Sequence, residues 1–168
     1  MMLTTIAIGL LSAVTMVPQT DTLVTLQGET RLELELWAGE VVVQSWDRDA
    51  VQISAEHSDR IGIETSHSGT VLEIGMDMRR GFRPLPVDFQ LTVPRGMDIE
   101  IGGMSISVSI EGSEGNVEIS SVNGDIEIRG GNGDIFAESV NGEVLIDGAQ
   151  GRIEVTGVSQ GVTIINAT

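Results

Sequence analysis

Two carboxylates, Asp125 and Glu143, are the residues best suited to hold a metal ion, since each follows an Asn-Gly turn. Hard cations such as calcium prefer oxygen ligands, and acidic nonapeptide rolls bind calcium between successive turns of chain. In those rolls an aspartate stands immediately after Gly-x-Gly-x. Here residues 130–135 read Gly-Gly-Asn-Gly-Asp-Ile, with the acid one place early and isoleucine at the ligand position. The spacing favours a solvated acidic rim, and we predict no metal site and no cofactor.

Other chemically capable residues lack the spacing that their chemistry requires. His57 and His67 lie ten residues apart in predicted turns, and no third ligand stands at a metal-binding distance in sequence. We therefore interpret both as surface histidines. The sequence has no serine in a nucleophile-elbow context and no glycine-rich loop before a helical pattern. We predict that the chain is not an enzyme.

A basic cluster with one aromatic residue is the strongest candidate for ligand contact. Guanidinium groups bind carboxylates and phosphates in bidentate geometry, so the cluster could contact an anionic glycan. The competing interpretation is a solvated loop that joins two strands. Trp37 and Trp46 could also stack on sugars, although packing in the core or at a corner explains them as well. The cluster consists of Arg79, Arg80, Phe82 and Arg83.

Composition narrows the possible partners. The 168 residues carry a formal net charge of −16, and every basic side chain except the histidines is an arginine. Nucleic acid is excluded as an expected partner because phosphate binding requires a broad basic face. The chain has no cysteine, which excludes disulfides and thiolate metal sites and leaves the redox compartment open. Its length suits one domain.

A repeat of nine residues in the C-terminal part of the chain must position any such site. Each repeat is marked by an apolar residue, and a second apolar residue follows it two places later, so both side chains point to the same face of a strand. Asn-Gly pairs between the strands suit tight turns. Two repeats form an 18-residue coil, which predicts an all-β fold: a single-stranded parallel β-helix or β-solenoid. The repeat positions are Val108, Val117, Ile126, Ile135, Val144, Ile153 and Val162.

Stacking of such coils predicts rows of equivalent side chains about 4.8 Å apart. Asn123 and Asn141 should form an amide ladder with Ser159 above them. Arg129 should lie between two acids of its row, whereas Asp125 and Glu143 should repel each other. We expect Asp134 to face Arg152. We also expect Val122, Val140 and Val158 to fill one corner of the coil, and the small residues Gly131, Ala149 and Ala167 to narrow the other corner. Phe136 and Leu145 point outward on different sheets and are candidate partner contacts.

The first half of the chain alternates apolar and polar residues but does not keep the nine-residue period. Gly39-Glu40-Val41, with Val43 behind it, repeats the later pattern, yet Val41 and Val108 are 67 residues apart. We therefore expect an irregular, thicker set of coils with longer strands there. No linker composition divides the chain, which predicts one solenoid domain over residues 21–168.

The start of the chain resembles a leader sequence. Residues 6–17 form an apolar run as long as a signal-peptide core and too short to span a bilayer, which needs about 20 residues. We predict a signal peptide over residues 1–20, no integral membrane span, and export to the periplasm, outer surface or medium. The alternative is a first buried strand.

Two stretches resemble the bacterial β-strand-repeat domains commonly labelled "putative adhesins". One is residues 87–97, VDFQLTVPRGM, followed by the Asn-Gly-acid repeats; the other is residues 40–51, with Trp46-Asp47-Arg48. The resemblance implies an envelope or exported β-solenoid, right-handed, without established enzymatic activity, and it brings no functional residues. The implied function is a non-catalytic adhesin-like or scaffold module whose partner is an envelope protein or glycan. The alternative is a β-helix that binds or cleaves anionic polysaccharide through residues 79–83.

The chain stops at Thr168, seven residues into a repeat and without a polar cap. Stacked strands expose unpaired backbone groups at their ends, so solenoid ends are normally covered. Either the natural protein continues beyond this point, or this end pairs with something. If the chain is complete, we expect end-to-end self-association.

Overall fold

A computed structural model describes residues 19–78 and 85–168, all of whose regular elements are β-strands. The predicted leader and Arg79, Arg80, Phe82 and Arg83 lie outside these residues. All thirteen strands join into one sheet through hydrogen bonds. The strands are β1 (Gln19–Thr25), β2 (Arg31–Trp46), β3 (Ala50–Glu56), β4 (Ile61–Ser68), β5 (Val71–Met78), β6 (Asp88–Pro94), β7 (Asp98–Glu111), β8 (Val117–Asn123), β9 (Ile126–Arg129), β10 (Ile135–Asn141), β11 (Val144–Asp147), β12 (Ile153–Gly157) and β13 (Val162–Ile165).

The C-terminal half consists of two columns of parallel strands. In the first column β7, β8, β10 and β12 pair in that order, and in the second β7, β9, β11 and β13 do. Each residue lies opposite its equivalent in the next 18-residue unit, as Ile135 lies opposite Ile153. The predicted 18-residue offset and parallel direction are confirmed for these strands.

The long strands β2 and β7 connect the two halves of the chain. They pair in parallel from Arg31 opposite Asp98 to Gln44 opposite Glu111, and this register places Val41 opposite Val108. The similarity between the Gly39-Glu40-Val41 motif and the later repeats therefore corresponds to a pairing of β2 with β7. At the bend in β2, Gly39 has a φ of 137° and a Cβ there would overlap the carbonyl of Val87.

The sequence predicted irregular coils in the N-terminal half, but the structure shows a different arrangement there. Three of its pairings are antiparallel: β1 with β3, β3 with β6, and β4 with β5. Only Gly69 and Thr70 separate β4 from β5. A connection this short can join antiparallel strands only, since a parallel pair needs a crossover of a dozen or more residues.

One hydrophobic core runs through both halves. Most of the alternating apolar residues predicted to point inward are buried before the last 18-residue unit, including Leu32 and Leu34 of β2, Phe89 of β6, and Ile126 and Ile146 of the repeat. Residues on the outward positions of the same strands are mostly exposed or half-buried. The period-two pattern of the sequence therefore identified the buried face correctly in both halves.

Side chains also connect successive units through hydrogen bonds at the entry to each strand. Asp98 accepts a hydrogen bond from the backbone N–H of Asn116 at 2.8 Å, Asn116 accepts one from Asp134 at 3.1 Å, and Asp134 accepts one from Arg152 at 3.2 Å. Glycines at the turns lie against the preceding unit, where a Cβ at Gly142 would overlap the carbonyl oxygen of Gly124. Close stacking thus accounts for the recurrent acid and glycine of the repeat.

Candidate functional site

The carboxylates considered as metal ligands have structural partners. Asp125 accepts a hydrogen bond from the backbone N–H of Glu143 at 2.8 Å, the same contact that Asp134 makes with Arg152. The expected repulsion between the Asp125 and Glu143 carboxylates stays a prediction, and the Asp125 carboxylate in addition binds a backbone donor of the next unit. Among residues 19–78 and 85–168 no group of three or more His, Cys, Asp or Glu side chains is arranged to hold a metal ion.

The predicted ladders are confirmed in part. Asn141 donates a side-chain hydrogen bond to the Asn123 amide oxygen at 3.1 Å. Arg129 lies opposite Glu111 and Asp147 in the register, but its guanidinium pairs with Glu127 of its own strand. Arg152 likewise pairs with Glu154 at 2.9 Å, so the expected ion pair with Asp134 is replaced by the backbone contact. Neighbours two residues apart on one strand outcompete the neighbours in the row.

Both histidines make specific contacts, and His67 is exposed, as expected for a surface histidine, whereas His57 is half-buried. His57 bonds Thr20 through Nε2 at 2.7 Å, and His67 Nδ1 lies 2.6 Å from Glu29 Oε1. The Glu29 side chain is buried, and the backbone N–H of Gln27 together with His67 lowers the pKa of its carboxyl group. The two histidines stabilise separate strand connections and do not converge on one site.

An apolar stripe runs across the first column, one residue from each successive strand. Trp37 and Met104 lie between the register pairs Leu36–Gly103 and Ala38–Ser105, and three valines continue the row at 18-residue intervals. Trp37 is 52% exposed, Met104 43% and Val158 68%. Val122 and Val140 are half-buried and Val158 is exposed, so the corner that the sequence predicted to be filled by valines is filled only in part. The apolar stripe consists of Trp37, Met104, Val122, Val140 and Val158.

Four residues earlier on the same strands, and on the same outward side, lies an acidic row. Its central members are Glu33, Glu100 and Glu118, which stand directly opposite one another in the parallel register. Arg31 pairs with Glu100 at 3.1 Å from the far side of the row. The acidic row consists of Glu73, Glu33, Glu100, Glu118, Phe136 and Glu154.

Between the stripe and the row lies a third outward line of residues, which contains the small side chains of the face. It consists of Glu35, Gly102, Ser120, Glu138 and Thr156. Beside Gly102 and Ser120 the surface has an open cavity of about 530 Å³, which is also lined by residues 74–76 of β5, and a second open cavity of about 210 Å³ lies beside Ser120 and Thr156. We call this third line of residues the trough: the acidic row lines both cavities on one side of it, and the apolar stripe runs along its other side.

The predicted contact residues are divided by the structure. Phe136 stands in the acidic row, 36% exposed, with the Arg152 guanidinium 5.7 Å from its ring centre. Leu145 is half-buried in the second column and belongs to a different surface. Trp46 donates its indole N–H to the Ala50 carbonyl and lies against Arg48, whereas Trp37 is exposed on the stripe.

Trp37 was considered only as a residue that could stack on sugars, and Met104 was missed, because both precede the nine-residue repeat that begins at Val108. The Gly39-Glu40-Val41 motif contained the necessary signal: aligning Val41 with Val108 also aligns Trp37 with Met104. From Met104 the 18-residue interval leads to the three valines.

The last unit exposes residues whose equivalents are buried one unit earlier. Val144 and Ile146 are fully buried, whereas Val162 and Ile164, which pair with them in parallel, are 42% and 47% exposed. Within the described part of the chain β12 and β13 each pair on one side only. The end-to-end association expected from the sequence stays a prediction.

Comparison with known proteins identifies the fold. No family model matches the chain, and no curated protein does. The chain is similar to a structure titled "putative cell adhesion protein" from Clostridium sporogenes, with a TM-score of 0.56 and 9% identity, over 90% of this chain and 99% of that one. It is also similar to a "putative adhesin" from Bacteroides fragilis, with a TM-score of 0.38 and 12% identity, over 90% of this chain and 97% of that one. The Clostridium comparison shows a shared fold over nearly the whole chain.

Within the described residues no helix is long and apolar enough to cross a bilayer.

Proposed function

We propose that the chain is a non-catalytic, exported envelope module that binds a partner on its outer face, in the manner of an adhesin or a scaffold. In this proposal the parallel columns form a right-handed β-solenoid. The strands that take part in antiparallel pairs, β1, β3, β4, β5 and β6, lie beside its first coil. The shared fold with the Clostridium protein, which is named a putative cell adhesion protein, supports the adhesin-like class.

The observation that carries the proposal is the fixed spacing of outward side chains. Backbone pairing and the Asp98–Asn116–Asp134 contacts hold each unit on the previous one. Outward residues therefore stand in rows about 4.8 Å apart on a rigid surface, which reduces the entropy lost when a partner binds. Such a surface suits recognition, whereas catalysis would need reactive groups that converge on one point.

Localisation and N-terminal sequencing test the proposal. We expect the full-length chain expressed in bacteria to appear in the envelope or medium, to be cleaved by protease added to intact cells, and to lack its first residues. A chain that remains in the cytoplasm with Met1 intact would contradict export. Replacing the leader by that of a known secreted protein controls for the folding of the domain itself.

The glycan alternative rests on Arg79, Arg80 and Arg83, and a glycan array addresses it. Specific binding to acidic polysaccharide that disappears in the triple alanine variant would favour that alternative. Binding that survives in the variant would place the contact elsewhere on the surface.

A further inference from the structure

We propose that the trough binds an amphipathic helix of a protein partner, with basic residues along one side of the helix. The inference rests on the proposed function, since it assigns the surface and the partner chemistry of the same binding module.

The width of the trough fits a helix. The stripe and the acidic row are four residues apart along each strand, which corresponds to about 13 Å. An α-helix with its side chains is about 10–12 Å across. Gly102 and Ser120 keep the middle of the floor low, between the longer side chains of Glu35 and Glu138. A helix whose side chains interdigitate with those of the stripe and the row can therefore lie along the trough, perpendicular to the strands.

The walls of the trough require an amphipathic occupant. Trp37, Met104 and Val158 expose large apolar surfaces on one side. The cavity opposite the stripe is lined by Glu33, Glu100 and Glu118, with Glu35 on its floor. A ligand that covers both walls needs an apolar face and a cationic face side by side, which a basic amphipathic helix provides.

The spacing of the stripe distinguishes a helix from an extended peptide. Its five side chains stand about 4.8 Å apart and span about 19 Å. Apolar residues at the a and d positions of a helix recur about every 5.3 Å along the axis, so four steps cover about 21 Å. Alternate residues of an extended strand recur about every 6.8 Å and would lose the match after two steps. A helix of about 15 residues spans the stripe.

The surrounding charges favour a cationic protein segment over an anionic lipid surface. The stripe and the floor contain no arginine, and Glu35 and Glu138 project from the floor. Arg31 and Arg152 pair with Glu100 and Glu154 on the far side of the acidic row. Anionic lipids would be repelled by this face, whereas lysine and arginine side chains would be attracted to it.

Fluorescence anisotropy with a labelled synthetic peptide tests the proposal on the intact domain. The probe is an 18-residue helix with leucine at a and d positions and lysine on one flank. Two control peptides have the same composition in scrambled order, or glutamate in place of lysine. We expect the probe to bind at low salt, both controls to bind at least about tenfold more weakly, and added salt to weaken binding.

Matched variants locate the binding surface. We expect the double substitution V122S/V140S to weaken probe binding about tenfold, and E35Q/E118Q to weaken it and reduce its salt dependence. L145S and E127Q, on outward positions of the second column, serve as controls and should bind as the unmodified chain does. Circular dichroism of each variant checks that it is folded.

Several outcomes would overturn the inference. Equal binding of the scrambled or glutamate peptide, or equal losses in L145S and V122S/V140S, would show that the trough does not select a basic helix. Failure of the probe to bind, with V122S/V140S abolishing binding to a glycan array or to phosphatidylcholine vesicles instead, would assign the trough to another ligand. Each result leaves the proposed export and envelope location standing, since the localisation experiment tests those separately.

Discussion

The two halves of the molecule bury the same kinds of residue but specify their strand pairing differently. In residues 98–168 every strand pairs in parallel with its equivalent 18 residues away, so one rule determines the pairing among these strands. In residues 19–78 and 85–97 parallel and antiparallel pairs are mixed, and no common offset relates them. The stability of the regular region should therefore be most sensitive to substitutions at stacked backbone positions. The stability of the irregular region should be most sensitive to the loss of individual side-chain contacts.

The largest expected effect lies at a stacked glycine of the regular half. A Cβ at Gly142 would overlap the carbonyl oxygen of Gly124, and only movement of the backbone could relieve this. We expect Gly142→Ala to lower the free energy of unfolding by at least about 3 kcal/mol, measured by urea denaturation. Gly96→Ala is the matched control, because no heavy atom lies within 4 Å of a Cβ there, and should change stability by less than about 0.5 kcal/mol. Similar losses in the two variants would show that stacking does not determine sensitivity.

An intermediate effect is expected where an acid connects two units. Asp134 accepts the Arg152 backbone N–H at an exposed position, so Asp134→Ala should cost about 1 kcal/mol in urea denaturation. Asp134→Asn keeps an acceptor, as Asn116 does one unit earlier, and should cost less than half as much. Calcium should leave the denaturation midpoints of all three proteins unchanged. Stabilisation of the unmodified chain by calcium, lost in Asp134→Ala, would instead show that this acid is a metal ligand.

The regular half was predictable from sequence because its period is itself the pairing rule. The 18-residue offset, the inward faces and the Asn123–Asn141 ladder all follow from counting. The antiparallel pairs of the first half were not predictable from sequence. A two-residue connection such as Gly69-Thr70 identifies its own hairpin, but it does not identify the partners of β1 or β3. The stripe was missed for a related reason: the residues that begin it, Trp37 and Met104, precede the repeat and join it only through the β2–β7 register.

Ion-pair expectations failed in the regular half because equivalence of position does not determine side-chain direction. Arg152 has Asp134 in its row, yet its guanidinium binds Glu154 and covers Phe136. A long side chain on an exposed strand can reach several acids at similar cost, and such surface pairs contribute only about 0–1 kcal/mol each. Backbone N–H groups have fixed directions, so the Asp and Asn contacts to them follow the period.

The smallest expected effect tests the irregular half through a single side chain. Glu29 is buried between strands β1 and β2, where it accepts the Gln27 N–H and contacts His67. These contacts lower the pKa of its carboxyl group below the ordinary value of 4.5. A lowered folded-state pKa means that ionised Glu29 stabilises the fold above that ordinary value. This stabilisation is lost as the pH falls through the folded-state pKa.

Glu29→Gln should therefore unfold at lower urea concentration than the unmodified chain at pH 7, and the difference should shrink as the pH falls below about 4.5. Glu64→Gln, on the same strand as His67 but exposed, measures the general effect of removing one carboxylate from this acidic chain. A difference between Glu29→Gln and the unmodified chain that stays constant from pH 7 to pH 3 would mean that packing, not the ionised contact with His67, stabilises this connection. In that case the stability of both halves would depend on packing alone, and the two halves would differ only in the direction of their strand pairing.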